Sequence, residues 1–282
     1  MTDVYVSLTT VASRLSFLSR VIQSILDQTL PPSKIILNIS ERPYGFDAGV
    51  RPDQLPPEVV MASRQGLVRI NACDNMGPYT KLIPTLQLLQ GQNYIVITAD
   101  DDILYPPRWV EGLVGLHGRH DCVTAYRCRK MLYDHRGFAP FTQWPFVTMP
   151  DDVDQYQPSP SLDILPTGRG GILYHSSYFG DLQALNDLRH LAPWQDDIAF
   201  RLHLLRNEIP VVAAHFRTAG ATQLEFDGAL FADRLWLRNR ESSGGLTPND
   251  HAIAAIVDDF RKHGINLPLG GIIDQGRRPS SF

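Results

Sequence analysis

An apolar segment that runs into three consecutive carboxylates constrains this chain more than any other feature. Residues 94–98 read Tyr-Ile-Val-Ile-Thr, which is typical of a buried strand, and Asp100, Asp101 and Asp102 follow after Ala99. Three adjacent anions repel one another, whereas a divalent cation converts that repulsion into coordination. Because side chains alternate along an extended chain, we expect Asp100 and Asp102 to point one way and Asp101 the other. The sequence therefore predicts an Asp-x-Asp metal site at a strand end.

A simpler interpretation gives one of these aspartates a structural role. Pro106 and Pro107 suit the first turn of a following helix, and Asp often caps a helix. One Asp would then be a turn or cap residue. Three in succession after so apolar a segment favour the metal site.

Composition limits the class of protein. The chain has 282 residues, 43% of them hydrophobic, which suffices for one large domain or two small ones. Its net charge of -4 and lack of a long basic run argue against nucleic acid as a partner. Three cysteines (Cys73, Cys122 and Cys128) give neither a disulfide framework nor a zinc pattern. With no visible signal peptide and no apolar stretch of roughly 20 residues, we expect a cytoplasmic protein, for which peripheral membrane association stays open.

Strands and helices alternate along the N-terminal half. We predict strands at 4–8, 34–39, 67–70 and 94–98, and helices at 15–26 and 82–89. Ser13 is the expected N-cap of the first helix. This β-α-β order implies an α/β fold with a mostly parallel sheet and helices on both faces. Ligands of such sheets bind at the carboxyl ends of the strands, where the Asp cluster lies.

The second half is less regular. We predict strands at 122–126 and 210–215, a helix after Asp197, a final helix at 252–263, a polar loop at 239–248 and a loose tail after Gly270. Residues 129–166 are rich in Pro, Asp and aromatic residues and have weak periodicity, and so long an irregular stretch is usually functional or mobile. No internal repeat or linker divides the chain.

Five motifs follow one another along the chain. They are Val-Ser-Leu-Thr-Thr at 6–10 with Arg14, Asp-Asn-Met-Gly-Pro-Tyr-Thr-Lys-Leu at 74–82, the segment 98–102, Gly-Arg-Gly-Gly-Ile-Leu-Tyr at 168–174, and Trp-Gln-Asp-Asp at 194–197. Their order resembles that in glycosyltransferases of the GT-A fold, especially bacterial enzymes related to family 2. The resemblance implies one GT-A (Rossmann-like) domain over 1–282, with a mixed, mostly parallel sheet flanked by helices. Residues 1–120 would form the nucleotide-sugar-binding half, 121–240 the acceptor and catalytic half, and 241–282 a C-terminal helix and tail.

The chain departs from the family-2 pattern in two places. Many members carry an acidic pair followed by Gly-Ser after the second strand, where this chain has Asn-Ile-Ser-Glu at 38–41. The usual Arg of the Asn/Gly motif is replaced by Lys81.

The resemblance implies a metal-dependent, inverting glycosyltransferase of bacterial surface polysaccharide synthesis, which uses Mn²⁺ or Mg²⁺. Its partners would be a nucleotide-diphosphate sugar donor and a saccharide or lipid-linked saccharide acceptor. Asp102 would bind the metal directly, and Asp100 would contact the ribose or bind the metal through water. His215 would supply a third metal ligand, with a hydrogen-bonded core histidine as the alternative.

The resemblance also assigns a nucleotide site. Thr9, Arg14 and Asp74 would line it, with Asp101 beside them unless it caps the next helix. Lys81 would neutralise the phosphates, or it is a solvated helix lysine. The glycines at 168–171 would allow close approach of a sugar, or they form a tight turn.

The acceptor side is assigned in the same way. Asp197 would be the catalytic base and Asp196 would bind the acceptor, with their order open and a helix cap as the alternative. Trp194 would stack on a sugar ring. Residues 129–166 are expected to contribute to this side through their aromatic side chains, which are Tyr133, Phe138, Phe141, Trp144 and Phe146.

Other functions remain as alternatives. A nucleotidyltransferase on a related fold would usually carry a Gly-rich basic loop after its first strand, and residues 6–14 contain no glycine. A dehalogenase-type phosphatase places its Asp-x-Asp pair after the first strand of its core, whereas Asp100 lies deep in the chain. A non-catalytic nucleotide- or sugar-binding module is the third alternative, against which the intact Asp100, Asp102 and Asp197 argue.

Overall fold

A seven-stranded β-sheet forms the centre of the fold. The computed structural model describes residues 2–221, 239 and 245–269. Its strands are β1 (Asp3–Thr9), β2 (Lys34–Ile39), β3 (Val68–Ala72), β4 (Tyr94–Thr98), β5 (Val123–Ala125), β6 (Cys128–Lys130), β7 (Tyr133–Asp134), β8 (Gly137–Phe138), β9 (Ile164–Pro166), β10 (Ile172–His175) and β11 (Val211–Ala213). The sheet has the order β11-β5-β10-β4-β1-β2-β3, and only β10 runs antiparallel to its neighbours in it.

Helices cover both faces of this sheet. Those described are α1 (Leu15–Leu26), α2 (Pro57–Arg64), α3 (Ile83–Leu88), α4 (Trp109–His120), α5 (Leu182–Leu191), α6 (Asp196–Arg206) and α7 (Pro248–Lys262). Helices α1, α2 and α4 share one hydrophobic core with the sheet, and α3, α5, α6 and α7 share a second.

Strand β4 contributes to both cores. Ile95 and Ile97 belong to the first core, and Tyr94 and Val96 belong to the second. Because both faces are buried, the strand is apolar at every position instead of alternating. The predicted fold class, α/β with a mixed and mostly parallel sheet flanked by helices, is confirmed.

The register of the sheet brings the ends of three strands together. Ser7 of β1 lies opposite Thr98, the last residue of β4. On the other side of β1, Thr9 lies opposite Asn38 near the end of β2. The loops that follow these parallel strands therefore begin at one edge of the sheet, and the loop after β4 carries the Asp cluster.

Local structure agrees with the sequence pattern in some elements and departs from it in others. Strands β2 and β4 and helix α1 have the predicted bounds. The N-cap of α1 is Arg14, at the end of a 3-10 turn over Ala12–Arg14, so the prediction of Ser13 as N-cap is wrong. The sequence pattern did not predict α2, since only Val59 and Ala62 of its side chains are buried.

The segment 129–166 is more ordered than its periodicity indicates. Strands β6 and β9 pair antiparallel across it, and β7 and β8 form a hairpin within it. Trp144 is 1% exposed and its indole N–H donates to the carbonyl of Ala139, so this aromatic residue belongs to the core. These strands have only two or three residues each, which explains why the sequence shows no clear period.

Two expectations fall mostly or wholly outside the described residues. They are the polar loop at 239–248, of which only 239 and 245–248 are described, and the tail after Gly270. Among the helices in the described ranges, none is long and apolar enough to cross a membrane.

Replacement of Gly171 tests the packing at the edge of the sheet. Its φ is +82°, and an added Cβ would lie 2.4 Å from the indole of Trp109. Gly91 has a φ of +80° but no atom within 4 Å of an added Cβ. We expect Gly91→Ala to destabilise the protein by about 1–2 kcal/mol through backbone strain alone. Gly171→Ala should cost about 1–3 kcal/mol more, because the added Cβ meets Trp109 and because a φ of +82° with a ψ of +142° is open essentially only to glycine. Urea denaturation measures both values, and equal values would contradict the steric argument.

Candidate functional site

A cleft of about 650 Å³ opens at the edge of the sheet where β1 and β4 end. This volume lies in the range of pockets that hold small molecules. The predicted site residues that line it are Thr9, Arg14, Lys81, Asp100, Asp101, Asp102, Asp196 and Asp197. The structure thus brings together residues from both halves of the chain.

Asp101 has a structural position within the Asp cluster. Strand β4 ends at Thr98, and Asp101 lies in the turn beyond it with 6% of its side chain exposed. Its carboxylate accepts hydrogen bonds from Arg14 Nη1 at 2.7 Å and from Thr10 Oγ1 at 2.8 Å. Asp101 therefore ties the loop after β1 to the loop after β4. The helix-cap interpretation is wrong, because α4 begins at Trp109 and its N-cap is Arg108.

Asp102 lies in a strongly anionic environment. Arg14 Nη1 is 3.4 Å from its Oδ2, yet burial and the charge of Asp100 raise the pKa of Asp102 to about 6. A divalent cation would relieve this excess of negative charge. Among the described residues, no three His, Cys, Asp or Glu side chains form a preformed metal site. The residues fit a cation of the Mg²⁺ type, which is bound by one or two carboxylates and completed by substrate oxygens.

Asp100 is held from both its backbone and its side chain. Its backbone N–H donates to the hydroxyl of Tyr105 at 2.7 Å, and the ring of Tyr105 packs on Trp109 with centroids 4.0 Å apart. Its Oδ1 accepts a hydrogen bond from Lys81 Nζ at 3.0 Å. Asp100 and Asp102 are thus the two carboxylates of the cluster that remain for a metal.

Lys81 joins the Asp cluster to the second acidic pair. Its ammonium lies 3.0 Å from Asp100 and 3.2 Å from Asp196, and 14% of its side chain is exposed. Burial alone lowers the pKa of Lys81, but the charges of Asp100, Asp196 and Asp197 raise it well above its ordinary value. The ammonium therefore stays protonated. The interpretation of Lys81 as a solvated helix lysine is wrong.

Asp196 and Asp197 are the first two residues of α6 and face the cleft. Both oxygens of Asp197 lie near the backbone N–H of Gly168, at 3.0 and 3.1 Å. Burial, followed by the charge of Asp196, raises the pKa of Asp197 to about 7. A carboxylate of this basicity is able to accept a proton near neutral pH. The first turn of a helix also favours a negatively charged side chain, but the N-cap of α6 is Gln195, so the helix-cap interpretation of this pair is wrong.

The glycines at 168–171 form a tight turn against these side chains. A Cβ on Gly168 would lie 3.0 Å from Lys81 Nζ and 3.2 Å from Asp197 Oδ1. The carbonyl of Gly170 accepts the indole N–H of Trp109 at 2.8 Å. The absence of a Cβ at Gly168 therefore lets the side chains of Lys81 and Asp197 lie close to the backbone of this turn.

Trp194 has aromatic partners of its own. Its ring lies 5.0 Å from Tyr44 and is stacked at 5.9 Å on Phe46, which is 44% exposed. All three residues line the cleft. Sequence reasoning missed Tyr44 and Phe46, although two aromatic residues in the Pro/Gly-rich loop after β2 were a usable signal. Stacking of a sugar directly on Trp194 would require Phe46 to move.

Two predicted site residues do not line the cleft. The carboxylate of Asp74 is 70% exposed and pairs with Arg42, and the neighbouring Asn75 lines the cleft in its place. His215 is buried and is not among the lining residues. Its Nδ1 accepts the backbone N–H of Arg217, so its Nε2 carries the proton that is donated to the carbonyl of Pro150 at 2.7 Å. These hydrogen bonds agree with the alternative prediction for His215, a hydrogen-bonded core histidine, and not with a metal ligand.

Comparison with known proteins finds no matching family model and no match among curated proteins. Solved structures do match in fold. S. aureus TarS 1-349 is 15% identical, with a TM-score of 0.48 over 76% of this chain and 59% of that one. GalNAc-T7 with UDP, GalNAc and Mn²⁺ is 13% identical, with a TM-score of 0.47 over 75% of this chain and 41% of that one.

A third match is a synthase. It is 4-diphosphocytidyl-2C-methyl-D-erythritol synthase, which is 8% identical, with a TM-score of 0.45 over 77% of this chain and 92% of that one. The chain spans less than two thirds of TarS 1-349 and of GalNAc-T7. At such identities and TM-scores these matches carry no argument, so the argument for function rests on the site.

The raised pKa of Asp197 predicts that replacing its carboxylate with a neutral amide stabilises the protein, and does so more at high pH than at low pH. Its folded-state value of about 7 exceeds the ordinary 3.8, so between these values the folded protein holds a proton that the unfolded chain releases. The associated stability is complete below 3.8 and is lost as the pH rises through 7. Asp197→Asn should therefore raise the Tm at pH 8 by at least about 2–4 °C, the shift expected for each 1 kcal/mol, and by less at pH 5.

Thermal unfolding at both pH values measures this difference. Asp53→Asn is the matched control, because the carboxylate of Asp53 is exposed and paired with Arg51. Titration of Asp102 occurs in all three proteins and cancels in the comparison. A gain for Asp197→Asn that is equal at pH 5 and pH 8 would contradict the raised pKa.

Proposed function

We propose that this chain is a metal-dependent, inverting glycosyltransferase that moves a sugar from a nucleotide-diphosphate donor to a saccharide acceptor. The observation that carries the proposal is the contact of Lys81 with both Asp100 and Asp196. Through this contact the carboxylates proposed to bind a metal, Asp100 and Asp102, lie beside Asp196 and Asp197, which include the proposed base. A metal-dependent inverting transfer uses the first pair for the cation and the second for the acceptor, so both pairs must line one cleft.

The donor would lie along the ends of β1, β2 and β4. Thr9 and Arg14 line this part of the cleft, and Asp102 would hold Mn²⁺ or Mg²⁺ directly, with Asp100 in contact with the ribose or binding through water. Such a cation, when bound, would stabilise the negative charge of the departing diphosphate. Lys81 would add a fixed positive charge beside it. His215 is left out of the proposed ligand set because both of its ring nitrogens have hydrogen-bond partners.

Asp197 is the proposed base. In an inverting transfer the acceptor hydroxyl attacks the anomeric carbon on the face opposite the leaving group and loses its proton to the base. The N–H of Gly168 fixes the carboxylate of Asp197, and its pKa of about 7 suits proton abstraction at neutral pH. Asp196 Oδ2 is buried without a hydrogen bond of good geometry, although Lys81 Nζ is 3.2 Å away. An acceptor hydroxyl would satisfy it.

The acceptor class and setting belong to the same proposal. The resemblance to bacterial family-2 enzymes favours surface polysaccharide synthesis, with a saccharide or lipid-linked saccharide as acceptor. A cytoplasmic location, with peripheral membrane association for a lipid-linked acceptor, would follow. Donor hydrolysis in a panel of nucleotide sugars separates this function from a non-catalytic binding module, and release of pyrophosphate from a nucleoside triphosphate would identify a nucleotidyltransferase.

Asp102→Asn tests the metal site. The change removes one ligand charge, so we expect the Mn²⁺-dependent affinity for nucleoside diphosphates to fall by at least about tenfold, as altered metal sites commonly do. Calorimetric titration of UDP, GDP, ADP and CDP with Mn²⁺ or with chelator measures it, and circular dichroism checks the fold. Asp53→Asn serves as the surface control. Affinity that neither the substitution nor the chelator alters would refute the proposed site.

Asp197→Asn tests the base. Loss of a general base should lower kcat by about 10²–10⁴-fold while donor and metal affinity stay nearly intact. Wild-type kcat should fall as the pH drops below about 7, since protonated Asp197 is inactive. Asp196→Asn should raise the KM of the acceptor more than it lowers kcat.

Steady-state kinetics and NMR of the product's anomeric centre provide the readouts. Near-normal turnover of Asp197→Asn, or a product that retains the donor's configuration, would contradict the assignment of Asp197 as the base and leave it as an acceptor-binding residue.

A further inference from the structure

One wall of the cleft is cationic and aromatic, and it is formed by Arg127, Arg129 and Phe146, here called the arginine wall. Arg129 lies in β6 and Arg127 in the bend just before it, and both side chains line the cleft. The guanidinium carbons lie 4.4 Å and 3.9 Å from the ring centroid of Phe146. The ring therefore holds both cations close together.

Backbone hydrogen bonds fix this wall in place. An antiparallel bridge joins Arg129 to Phe146, and the N–H of Val147 donates to the carbonyl of Cys128 at 2.9 Å. The segment that carries Phe146 is thus bound to β6 like a further strand. The wall is preorganised, which lowers the entropy cost of binding a ligand.

Arg127 holds its positive charge at a cost. Arg127 donates to Thr167 Oγ1 at 3.0 Å, and none of the ion pairs among the described residues includes it. Burial, followed by the charges of Arg129 and Arg169, lowers the pKa of Arg127 to about 10. Like charges that are crowded and partly desolvated are a mark of functional sites. An anion would relieve the repulsion, and the planar guanidinium matches phosphate and carboxylate in geometry.

The sheet order places the arginine wall on the opposite side of β4 from β1 and β2, whose ends form part of the proposed nucleotide site. Strand β5, which leads into Arg127, lies on the far side of β4 from β1, β2 and β3. It runs parallel to β4, because both pair antiparallel with β10. The cations in contact with the Asp cluster are instead Arg14 and Lys81. The proposed diphosphate site thus has cations of its own, and the arginine wall faces the acceptor side.

We propose that Arg127 and Arg129 bind an anionic group, a phosphate or a carboxylate, that the acceptor carries close to its reactive hydroxyl. The acceptor would then be an acidic or phosphorylated saccharide and not a neutral one. This inference rests on the proposed transfer reaction. Anchoring of the anion on the arginine wall turns the acceptor hydroxyl toward Asp197, and Phe146 keeps the two guanidiniums in a fixed spacing.

Calorimetry on the full chain tests this inference with three probes. They are a neutral disaccharide, the same disaccharide with a glucuronate in place of one hexose, and the same disaccharide with a 6-phosphate, each added to protein saturated with a nucleoside diphosphate and Mn²⁺. At least one charged probe should bind about tenfold or more tightly than the neutral one, as expected for hydrogen bonds to charged groups. The stronger of the two identifies the anion.

Variants assign the preference to the arginine wall. Arg127→Gln and Arg129→Gln should each remove most of the preference for the charged probe while the Kd of the nucleoside diphosphate changes less than twofold. Arg129→Lys keeps the charge and should retain part of the preference. Arg108→Gln is the matched control, because Arg108 pairs with Glu111 on the surface and should leave all probes unaffected. Melting curves confirm that each variant is folded.

The outcomes distinguish this inference from the proposed function. If the nucleoside diphosphate binds but no charged probe binds better than the neutral one, the inference is overturned and the transferase proposal stands. If the Gln variants weaken the nucleoside diphosphate as much as the charged probe, the arginines serve the donor phosphates and the inference is again overturned. If no nucleoside diphosphate binds with Mn²⁺, the proposed function itself fails.

Discussion

A buried ammonium between two acidic groups is the interaction on which the site depends. The ammonium of Lys81 lies 3.0 Å from Asp100, which is in the loop after β4, and 3.2 Å from Asp196, which begins α6. Loss of the ammonium would leave the carboxylates of Asp100 and Asp196 without compensation, which is costly in so enclosed a site. The same contact holds the two halves of the cleft at a fixed distance. Gly168 completes it, since any larger residue there would displace Lys81 or Asp197.

The ion pairs of the cleft leave part of its charge without compensation. Burial and neighbouring anions raise the pKa of Asp102 and Asp197 to about 6 and about 7, and burial and neighbouring cations lower that of Arg127 to about 10. Each of these shifts marks free energy that the folded protein forgoes until a ligand of opposite charge arrives. A cation at Asp102, a hydroxyl proton at Asp197 and an anion at Arg127 would relieve them in turn. The unfavourable charge interactions of the free protein would thus be relieved on binding, which would strengthen the binding of each ligand.

Local pattern and tertiary packing determined different elements. Strand β4 and helix α1 follow from sequence, because a continuous apolar run and a helical apolar stripe survive in any packing. Helix α2 escaped prediction because it buries few side chains, and the short strands β6–β9 did so because two or three residues establish no period. Trp144 belongs to the aromatic residues that were predicted to contact a sugar, but its side chain is buried in the core. Only the residues packed around it decide between these two positions.

The sequence by itself determined an α/β fold with a carboxylate cluster at a strand end, since both depend on residues that are adjacent in the chain. Tertiary structure alone decided which of the predicted side chains remain for a metal or a substrate. Arg14, 87 positions away in sequence, donates to the carboxylate of Asp101, and the carbonyl of Pro150, 65 positions away, accepts from His215. Lys81 was ambiguous for the same reason, because its partner Asp196 belongs to a distant helix. Such contacts depend on how elements pack, and no local pattern of charge or hydrophobicity records them.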